Sequence, residues 1–211
     1  MEQQTPDNQP KLEYQQIVYK NFLESELPKK WVMVNFNTME VEDRFKPLHE
    51  KISKIDIFNC TKGITLSSKT NGIGKTHLAV SLFKKFVWGS VIRELPISAM
   101  FKKEYEFYLE LHETYKKDFY KTERELIAEY TDKKKLLVFD DLFSTKENEH
   151  ARQNMLTLLD KRLDYLAYPT VITTNLTLDE INSIDSRIAS RLDNEYFFDL
   201  SKLEIDYRKK L

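Results

Sequence analysis

Residues 67–78, SSKTNGIGKTHL, contain the side chains in this chain that are best suited to binding a phosphate group. Gly72 and Gly74 are two of only 4 glycines in the sequence, and glycine permits left-handed backbone and close approach to a ligand. In a phosphate-binding loop, backbone N–H groups surround the phosphates, a lysine reaches the β- and γ-phosphates, and the next hydroxyl binds Mg²⁺. The pattern therefore predicts ATP and Mg²⁺ as ligands, with Lys75 on phosphate and Thr76 on the metal.

The start of this loop departs from the usual pattern. That pattern requires a glycine six residues before the lysine, and Lys69 occupies the position. Asn71 tolerates left-handed backbone and is expected to relieve part of the strain. We predict that the loop still binds nucleotide with a changed entrance; the alternative is a tight strand-to-helix turn with a surface lysine. The predicted nucleotide-binding residues are Lys69, Thr70, Asn71, Gly72, Ile73, Gly74, Lys75, Thr76 and His77.

A pair of aspartates ends the apolar segment LLVFDDL, residues 136–142. A phosphate-loop ATPase needs one carboxylate here to hold Mg²⁺ and often a second to orient the attacking water. We assign Asp140 to the metal, together with Thr76, and Asp141 to the water. The alternative is a pair of solvated aspartates that cap the next element. Many ATPases of this kind carry glutamate at the second position. Because aspartate is one methylene shorter, slow hydrolysis is expected.

Further polar residues follow the next apolar segment. Asn175 ends the run TVITTN, where a side-chain amide can hydrogen-bond the attacking water or a γ-phosphate; the alternative is an ordinary turn. Arg187 and Arg191 lie four residues apart, so they share one face of a helix. One interpretation is a solvated basic edge. The other is an arginine finger supplied in trans to a neighbouring subunit.

Composition limits the classes of protein to which the chain can belong. Its 211 residues suit one domain, and a formal net charge of −1 gives no overall basic excess for nucleic acid. A single cysteine, Cys60, excludes a disulfide framework, and the 4 histidines lack metal-binding spacing. The N-terminus has no signal-peptide pattern, and no apolar run approaches the roughly 20 residues that span a membrane. A cytoplasmic protein without a membrane partner is therefore expected.

Apolar runs and helical patterns alternate along the chain. The predicted strands are residues 63–68, a segment within 90–99, and residues 136–139, 170–175 and 195–200. The predicted helical regions are residues 11–27, 41–54, 75–89, 99–130, 150–167 and 178–192. Gly89 is expected to end the third of these helices. Strands that alternate with helices imply a parallel sheet covered on both faces.

With these elements in order, the sequence resembles an AAA+ ATPase of the DnaC/DnaI/IstB type, a group of replicative helicase loaders and transposition helpers. The resemblance covers about residues 28–208 and is carried by the segments NGIGKTHLA, LLVFDDL, RLDYLAYPTVITTNLTLDEI, SRIASRL and LEIDYRKKL. It implies that Asn175 is the sensor residue and that Arg191 is the arginine finger, with Arg187 as its companion. It also singles out Arg162 and the pair Tyr207-Arg208.

The resemblance implies a fold as well. It is an α/β, three-layer αβα P-loop NTPase core with a parallel sheet in the order 5-1-4-3-2 and without a helical lid domain. Residues 28–211 would form this AAA+ core. Residues 1–27 would form a short N-terminal arm that either packs on the core or docks onto a partner. Trp31 to Phe36 would flank the adenine.

The implied activity is ATP hydrolysis in DNA replication, with a replicative helicase or a transposase as partner and self-association through the arginine finger. Contact with single-stranded DNA is a further expectation for residues 101–121, which interleave lysines with aromatic rings. These are Lys102, Lys103, Lys116 and Lys117 with Tyr105, Phe107, Tyr108, Tyr115 and Phe119. The alternative is an exposed helix with a packed aromatic face.

Three other functions remain open on sequence alone. A transposition helper would share the same core and act on duplex DNA. A non-hydrolysing adaptor would bind nucleotide for structure only, with Lys69 and Asp141 as marks of a decayed site. A nucleoside kinase would have no use for the arrangement of Asn175 and Arg191.

Overall fold

Five parallel strands form one central sheet in the computed structural model, which describes residues 9–116 and 120–201. The strands are β1 (Gly63–Ser67), β2 (Ala99–Lys103), β3 (Leu136–Leu142), β4 (Thr170–Thr174) and β5 (Phe197–Asp199). Their order across the sheet is β2-β3-β4-β1-β5. This is the predicted order 5-1-4-3-2 read from the opposite edge, so the prediction is confirmed.

Helices connect and cover the strands. The α-helices are α1 (Gln9–Glu26), α2 (Lys29–Val32), α3 (Lys46–Ser53), α4 (Lys75–Ile92), α5 (Glu104–Glu113), α6 (Glu123–Thr131), α7 (Glu149–Asp160), α8 (Leu178–Ile184) and α9 (Ser186–Leu192). Short 3-10 turns cover Phe36–Thr38 and Asp43–Phe45, and a π-helical turn, Lys161–Tyr165, continues α7. Within the described ranges, none of these helices has the length and apolar character needed to span a bilayer.

Alternate residues of the strands supply two separate cores. Leu136 and Val138 of β3 pack into the core that contains residues of α1, α3 and α4. Leu137 and Phe139 pack into the core on the other face, which contains residues of α5 to α9. Because side chains alternate along a strand, a sheet buried on both faces needs helices on both sides. The three-layer αβα architecture predicted from the sequence is therefore confirmed.

The second strand was predicted too early. The structure starts β2 at Ala99, whereas residues 90–92 belong to α4 and residues 93–98 form a loop. The region 99–130 is likewise not one helical stretch, because it contains β2, α5 and α6. The sequence did not predict β2 correctly because only its first three residues are buried and its last two, Lys102 and Lys103, are charged.

Gly89 does not end α4, contrary to prediction. The helix continues to Ile92, and Gly89 lies inside it. A Cβ atom at position 89 would come within 2.4 Å of Cε2 of Phe58. The glycine is therefore explained by the close approach of the Phe58 ring to the helix.

The N-terminal segment packs onto α4. Leu23 of α1, and Leu27 just after it, are buried in the same core as α4. The ammonium group of Lys84 donates to the carbonyls of Val32 and Val34, both at 2.7 Å, which fixes the chain after α2 against α4. The division into residues 1–27 and 28–211 stays a prediction.

Arg162 lies in the π-helical turn and is fully buried. Its guanidinium donates five hydrogen bonds, which use all the N–H groups that an arginine has. The acceptors are Thr170 Oγ1 and the carbonyls of Tyr130, Lys134, Lys135 and Pro169, at 2.7–3.0 Å. Burial lowers the pKa of Arg162 to about 9, so the group remains a cation at neutral pH. This cation joins the starts of β3 and β4 to α6.

Replacement of Arg162 by methionine is expected to destabilise the fold. The variant removes the arginine donor of four carbonyls, and the bonds to Tyr130 and Pro169 are buried. Each buried loss costs about 1–3 kcal/mol. We expect the free energy of unfolding, measured by urea denaturation, to fall by about 3 kcal/mol or more. Arg152→Met, at an exposed position of α7, serves as the control and should change it by less than about 0.5 kcal/mol. Equal stability of the two variants would contradict this role.

Candidate functional site

The loop between β1 and α4 has the backbone geometry of an anion-binding turn. Gly72 has φ = 77° and Gly74 has φ = 94°, both in the left-handed region that glycine adopts at little cost. A Cβ atom at Gly74 would also lie 2.4 Å from Cε of Met39. Turns of this kind direct successive N–H groups to one side, which makes them concave anion sites.

Lys75 is the first residue of α4 and only 7% exposed. Its ammonium group donates to the carbonyls of Ser68 at 2.9 Å and Thr70 at 3.2 Å. The charge is therefore held within the loop by two of its carbonyls.

The unusual Lys69 interacts outside this turn. Its ammonium group lies 2.8 Å from Oε1 of Glu180, near the start of α8. Glu180 also accepts the N–H of Thr177 at 2.8 Å, and these bonds, that from Lys69 first, lower its pKa to about 2. Lys69 and Asn71 both keep negative φ. The expectation that Asn71 would adopt a left-handed backbone is therefore wrong. The missing glycine is accommodated because no positive φ is required at position 69.

Asp140 joins the loop helix to the sheet. Its Oδ1 accepts hydrogen bonds from the hydroxyls of Thr76 and Thr173, both at 2.8 Å, and the residue is 1% exposed. Burial raises the pKa of Asp140, and the charge of Asp141 adds to the shift, although the two hydroxyl bonds oppose it. A buried carboxylate whose hydrogen bonds come from hydroxyls is a group that a cation would stabilise.

Asp141 is held in an unusual backbone conformation. Its φ is 59°, and its N–H donates to Thr173 Oγ1 at 2.9 Å. Oδ2 lies 3.8 Å from the ammonium group of Lys103. Lys103 was predicted only as a DNA contact. Its nearness to Asp141 follows from the pairing of β2 with β3, which depends on the correct position of β2.

A cavity of about 540 Å³ opens in front of these residues. Asn71 to His77, Asp140 and Asp141 line it, together with Lys30, Trp31, Val34 and Lys103. Its volume falls in the range of small-ligand sites. His77 Nε2 lies 2.9 Å from the carbonyl of Asn35, and this contact ties α4 to the segment that carries Trp31. The phosphate loop, the acidic pair and part of the predicted adenine-flanking segment thus meet at one cavity.

Asn175 follows β4 at the same edge of the sheet. Its Oδ1 is buried and has no hydrogen-bond partner within the described part of the chain. A buried acceptor without a partner is uncommon in folded proteins and calls for a water or a ligand group. The residue does not line the cavity itself.

The two arginines of α9 are engaged with carboxylates of their own chain. Arg191 Nη2 lies 2.9 Å from Asp160 and 3.1 Å from Asp164. Arg187 lies 2.7 Å from Asp185. Neither arginine lines the cavity. An action on phosphate in the same subunit is therefore not supported by this geometry.

The segment predicted to contact DNA is partly structural. Phe107 and Tyr108 are buried in the core, and Lys102 and Lys116 pair with glutamates at 2.6 Å. This agrees with the alternative of a packed aromatic face, although Tyr105 and Tyr115 are 49% and 42% exposed. Lys117, Phe119 and the pair Tyr207-Arg208 lie outside the described residues.

The residues present fit a magnesium ion that is bound mainly through its nucleotide. Residues 9–116 and 120–201 contain no cluster of three or more His, Cys, Asp or Glu side chains suited to a metal. Mg²⁺ commonly uses one or two protein oxygens together with substrate phosphates and water. Thr76 and Asp140, already in contact at 2.8 Å, could supply those protein oxygens.

In nucleotide-free protein, Asp140→Asn is expected to raise the melting temperature at pH 7 by roughly 2–4 °C, which is about 1 kcal/mol for this chain length. Because the pKa of Asp140 is raised, its charge costs stability above that pKa, and the cost disappears as the pH falls through it. The advantage of the variant should therefore shrink at acidic pH. Asp179→Asn, at an exposed position, is the control for calorimetry. A variant that melts lower than wild type at pH 7 would contradict this account.

Known structures share this fold. The chain is similar to AMPPCP-bound DnaA from Aquifex aeolicus, with a TM-score of 0.65 and 17% identity over 86% of this chain and 53% of that one. It is similar to the DnaC helicase loader, with a TM-score of 0.58 and 24% identity over 82% and 99% of the two chains. DnaI matches with a TM-score of 0.58 and 17% identity over 83% and 94%. The chain spans about half the length of the AMPPCP-bound DnaA structures that it matches.

No curated protein sequence matches the chain significantly. The model of the IstB-like ATP binding protein family, in contrast, matches residues 23–200. That span contains the phosphate loop, the acidic pair, Asn175 and both arginines of α9. The chain therefore belongs to the family of IstB-like ATP-binding proteins, with the AAA+ P-loop fold of the DnaC and IstB type.

Proposed function

We propose that this chain binds ATP with Mg²⁺, hydrolyses it slowly and uses the cycle as a helicase loader in DNA replication. The observation that carries the nucleotide part is the 2.8 Å contact between Thr76 and Asp140. It brings the hydroxyl that follows the loop lysine to the carboxylate at the end of β3. Asp140 is also only 1% exposed, which does not fit the alternative of two solvated aspartates that cap the next element.

The proposed roles of the residues follow from their surroundings. The N–H groups of residues 71–76 and the ammonium group of Lys75 bind and orient the phosphates. Thr76 and Asp140 hold the metal, which when bound neutralises charge that develops on the phosphate oxygens. Asp141 accepts a proton from the attacking water, and Asn175 orients that water through its unpartnered Oδ1. Trp31 and Val34 line the cavity, and we propose that the adenine base binds beside them.

Arg191 is proposed to complete the site of a neighbouring copy of this chain, with Arg187 as its companion. Both arginines stand apart from the cavity of their own subunit. Self-association would bring a guanidinium to the γ-phosphate, where it stabilises charge in the transition state. Arg191 would first have to leave Asp160 and Asp164.

The proposed partners are a replicative helicase and single-stranded DNA. DnaC and DnaI are structural neighbours, and another neighbour is the replication initiator DnaA bound to AMPPCP and single-stranded DNA. The docking surface that we favour for the helicase is the side of α1 that carries Tyr14 and Ile17, which are 68% and 57% exposed. The proposed location is the cytoplasm, without a membrane partner.

The family match keeps a transposition helper as the second candidate. A pull-down with purified replicative helicase and with transposase separates the two. Retention by the helicase alone supports the loader, and retention by the transposase alone supports the helper. An adaptor that binds ATP without hydrolysis remains the third candidate, because Asp141 is paired with Lys103.

Lys75→Ala and Lys69→Ala form a matched pair within one loop. Loss of the Lys75 charge should abolish most ATP hydrolysis, measured with and without single-stranded DNA, and weaken nucleotide binding by at least about tenfold. Lys69→Ala should change both by less than about threefold, because Lys69 contacts an exposed glutamate outside the turn. Hydrolysis that survives in Lys75→Ala would contradict the assignment, and bound nucleotide without hydrolysis in wild type would favour the adaptor.

Arg191→Ala should bind ATP as wild type does but hydrolyse it at least about 100-fold more slowly, since an arginine finger acts only on the transition state. Mixing Arg191→Ala with Lys75→Ala protein should restore activity, because each variant supplies what the other lacks. The readouts are phosphate release and equilibrium nucleotide binding. Equal losses of binding and turnover, or no rescue on mixing, would contradict an action in trans.

A further inference from the structure

Glu104 is a buried carboxylate that none of the roles above uses. It is the first residue of α5 and only 1% exposed. Its oxygens accept the backbone N–H groups of Phe143, Ser144 and Thr145, each at 2.8 Å, and the Ser144 hydroxyl lies at 3.3 Å. One side chain thus holds three successive amides of the loop that follows β3.

This loop begins two residues after Asp141, the proposed water-activating residue. Asp141 and Phe143 have φ values of 59° and 64°, in the left-handed region that non-glycine residues adopt only at a cost in free energy. Such conformations persist only where surrounding bonds fix them. The N–H of Phe143, two residues beyond Asp141, is one of the groups that Glu104 binds.

Capping of α5 does not explain Glu104. The cap of that helix is supplied by Glu106, whose Oε2 accepts the N–H of Lys103 at 2.9 Å. The bonds of Glu104 all cross to the β3 loop. The residue before it, Lys103, lies 3.8 Å from Asp141 Oδ2. Two neighbouring residues therefore act near Asp141. Lys103 approaches its carboxylate, and Glu104 binds the backbone that follows it.

We propose that Glu104 is the positioning residue for Asp141 and fixes the direction in which that carboxylate faces the nucleotide cavity. The inference rests on the proposed ATP hydrolysis and deepens it. Glu104 acts only through the backbone after Asp141, so it does not touch the substrate. Its loss should consequently lower turnover and leave the affinity for nucleotide unchanged.

Glu104→Gln tests this inference against Glu106→Gln, which changes the same functional group two residues away. In the Glu104→Gln protein, the new side-chain NH₂ group would face N–H donors and weaken the grip on the loop. We expect kcat for ATP hydrolysis to fall by about 10–100-fold, as expected when a catalytic group is displaced by about 1 Å, with the Kd for Mg·ATP within about twofold. Glu106→Gln should keep kcat within about twofold.

A double-mutant cycle shows whether the effect passes through Asp141. In an Asp141→Asn background, Glu104→Gln should cause less than about a twofold further loss of kcat, because the group that it positions is already gone. Independent, additive losses would overturn the inference. If Glu104→Gln does not fold cooperatively, Glu104→Asp replaces it in both measurements, since it keeps the charge but not the reach.

The remaining outcomes are distinct. A Glu104→Gln protein with wild-type kcat overturns the inference and leaves the proposed function intact. Parallel losses of affinity and kcat assign Glu104 a purely structural role and also overturn it. A wild-type chain that hydrolyses no ATP removes the proposed function, and the positioning role falls with it.

Discussion

The site depends on one buried carboxylate that connects three elements. Asp140 at the end of β3 accepts hydroxyl hydrogens from Thr76 of α4 and Thr173 of β4. A charge in this position costs stability unless a cation balances it, and its raised pKa reflects that cost. The fold therefore places a buried negative charge at the carboxyl edge of the sheet, where parallel α/β proteins bind their ligands.

The loop tolerates its missing glycine because left-handed backbone is needed at only two positions. Gly72 and Gly74 supply it, and the backbone at Lys69 is not left-handed. Lys69 instead links the start of the loop to α8 through Glu180. Structural support for the site thus comes from neighbouring elements. Glu104 holds the chain that follows Asp141, whereas Arg162 joins the starts of β3 and β4 at the opposite edge of the sheet.

Local patterns explain how much could be predicted from sequence. A continuous apolar run precedes Asp140, and two of the 4 glycines lie just before Lys75. Both features could be recognised from the local sequence, without knowledge of which elements pack together. β2 was misplaced because Lys102 and Lys103 interrupt its apolar character. Lys103 approaches Asp141 through the pairing of β2 with β3, and Glu104 binds the loop that follows β3. No local spacing in the sequence predicts either contact. The carboxylates that bind Arg191 lie on α7 and on the π-helical turn after it, so local spacing does not predict these contacts either.

Titration calorimetry of ATP with and without Mg²⁺ tests the central claim most directly, because the claim is that Thr76 and Asp140 hold a metal against nucleotide phosphates. We expect saturable binding of one ATP per chain, with an affinity that Mg²⁺ increases by about tenfold or more, equivalent to about 1.4 kcal/mol. Binding that is equally tight with a chelator present would contradict the metal site. An absence of saturable binding up to about 1 mM, which is weaker than about −4.1 kcal/mol, would contradict the nucleotide site itself.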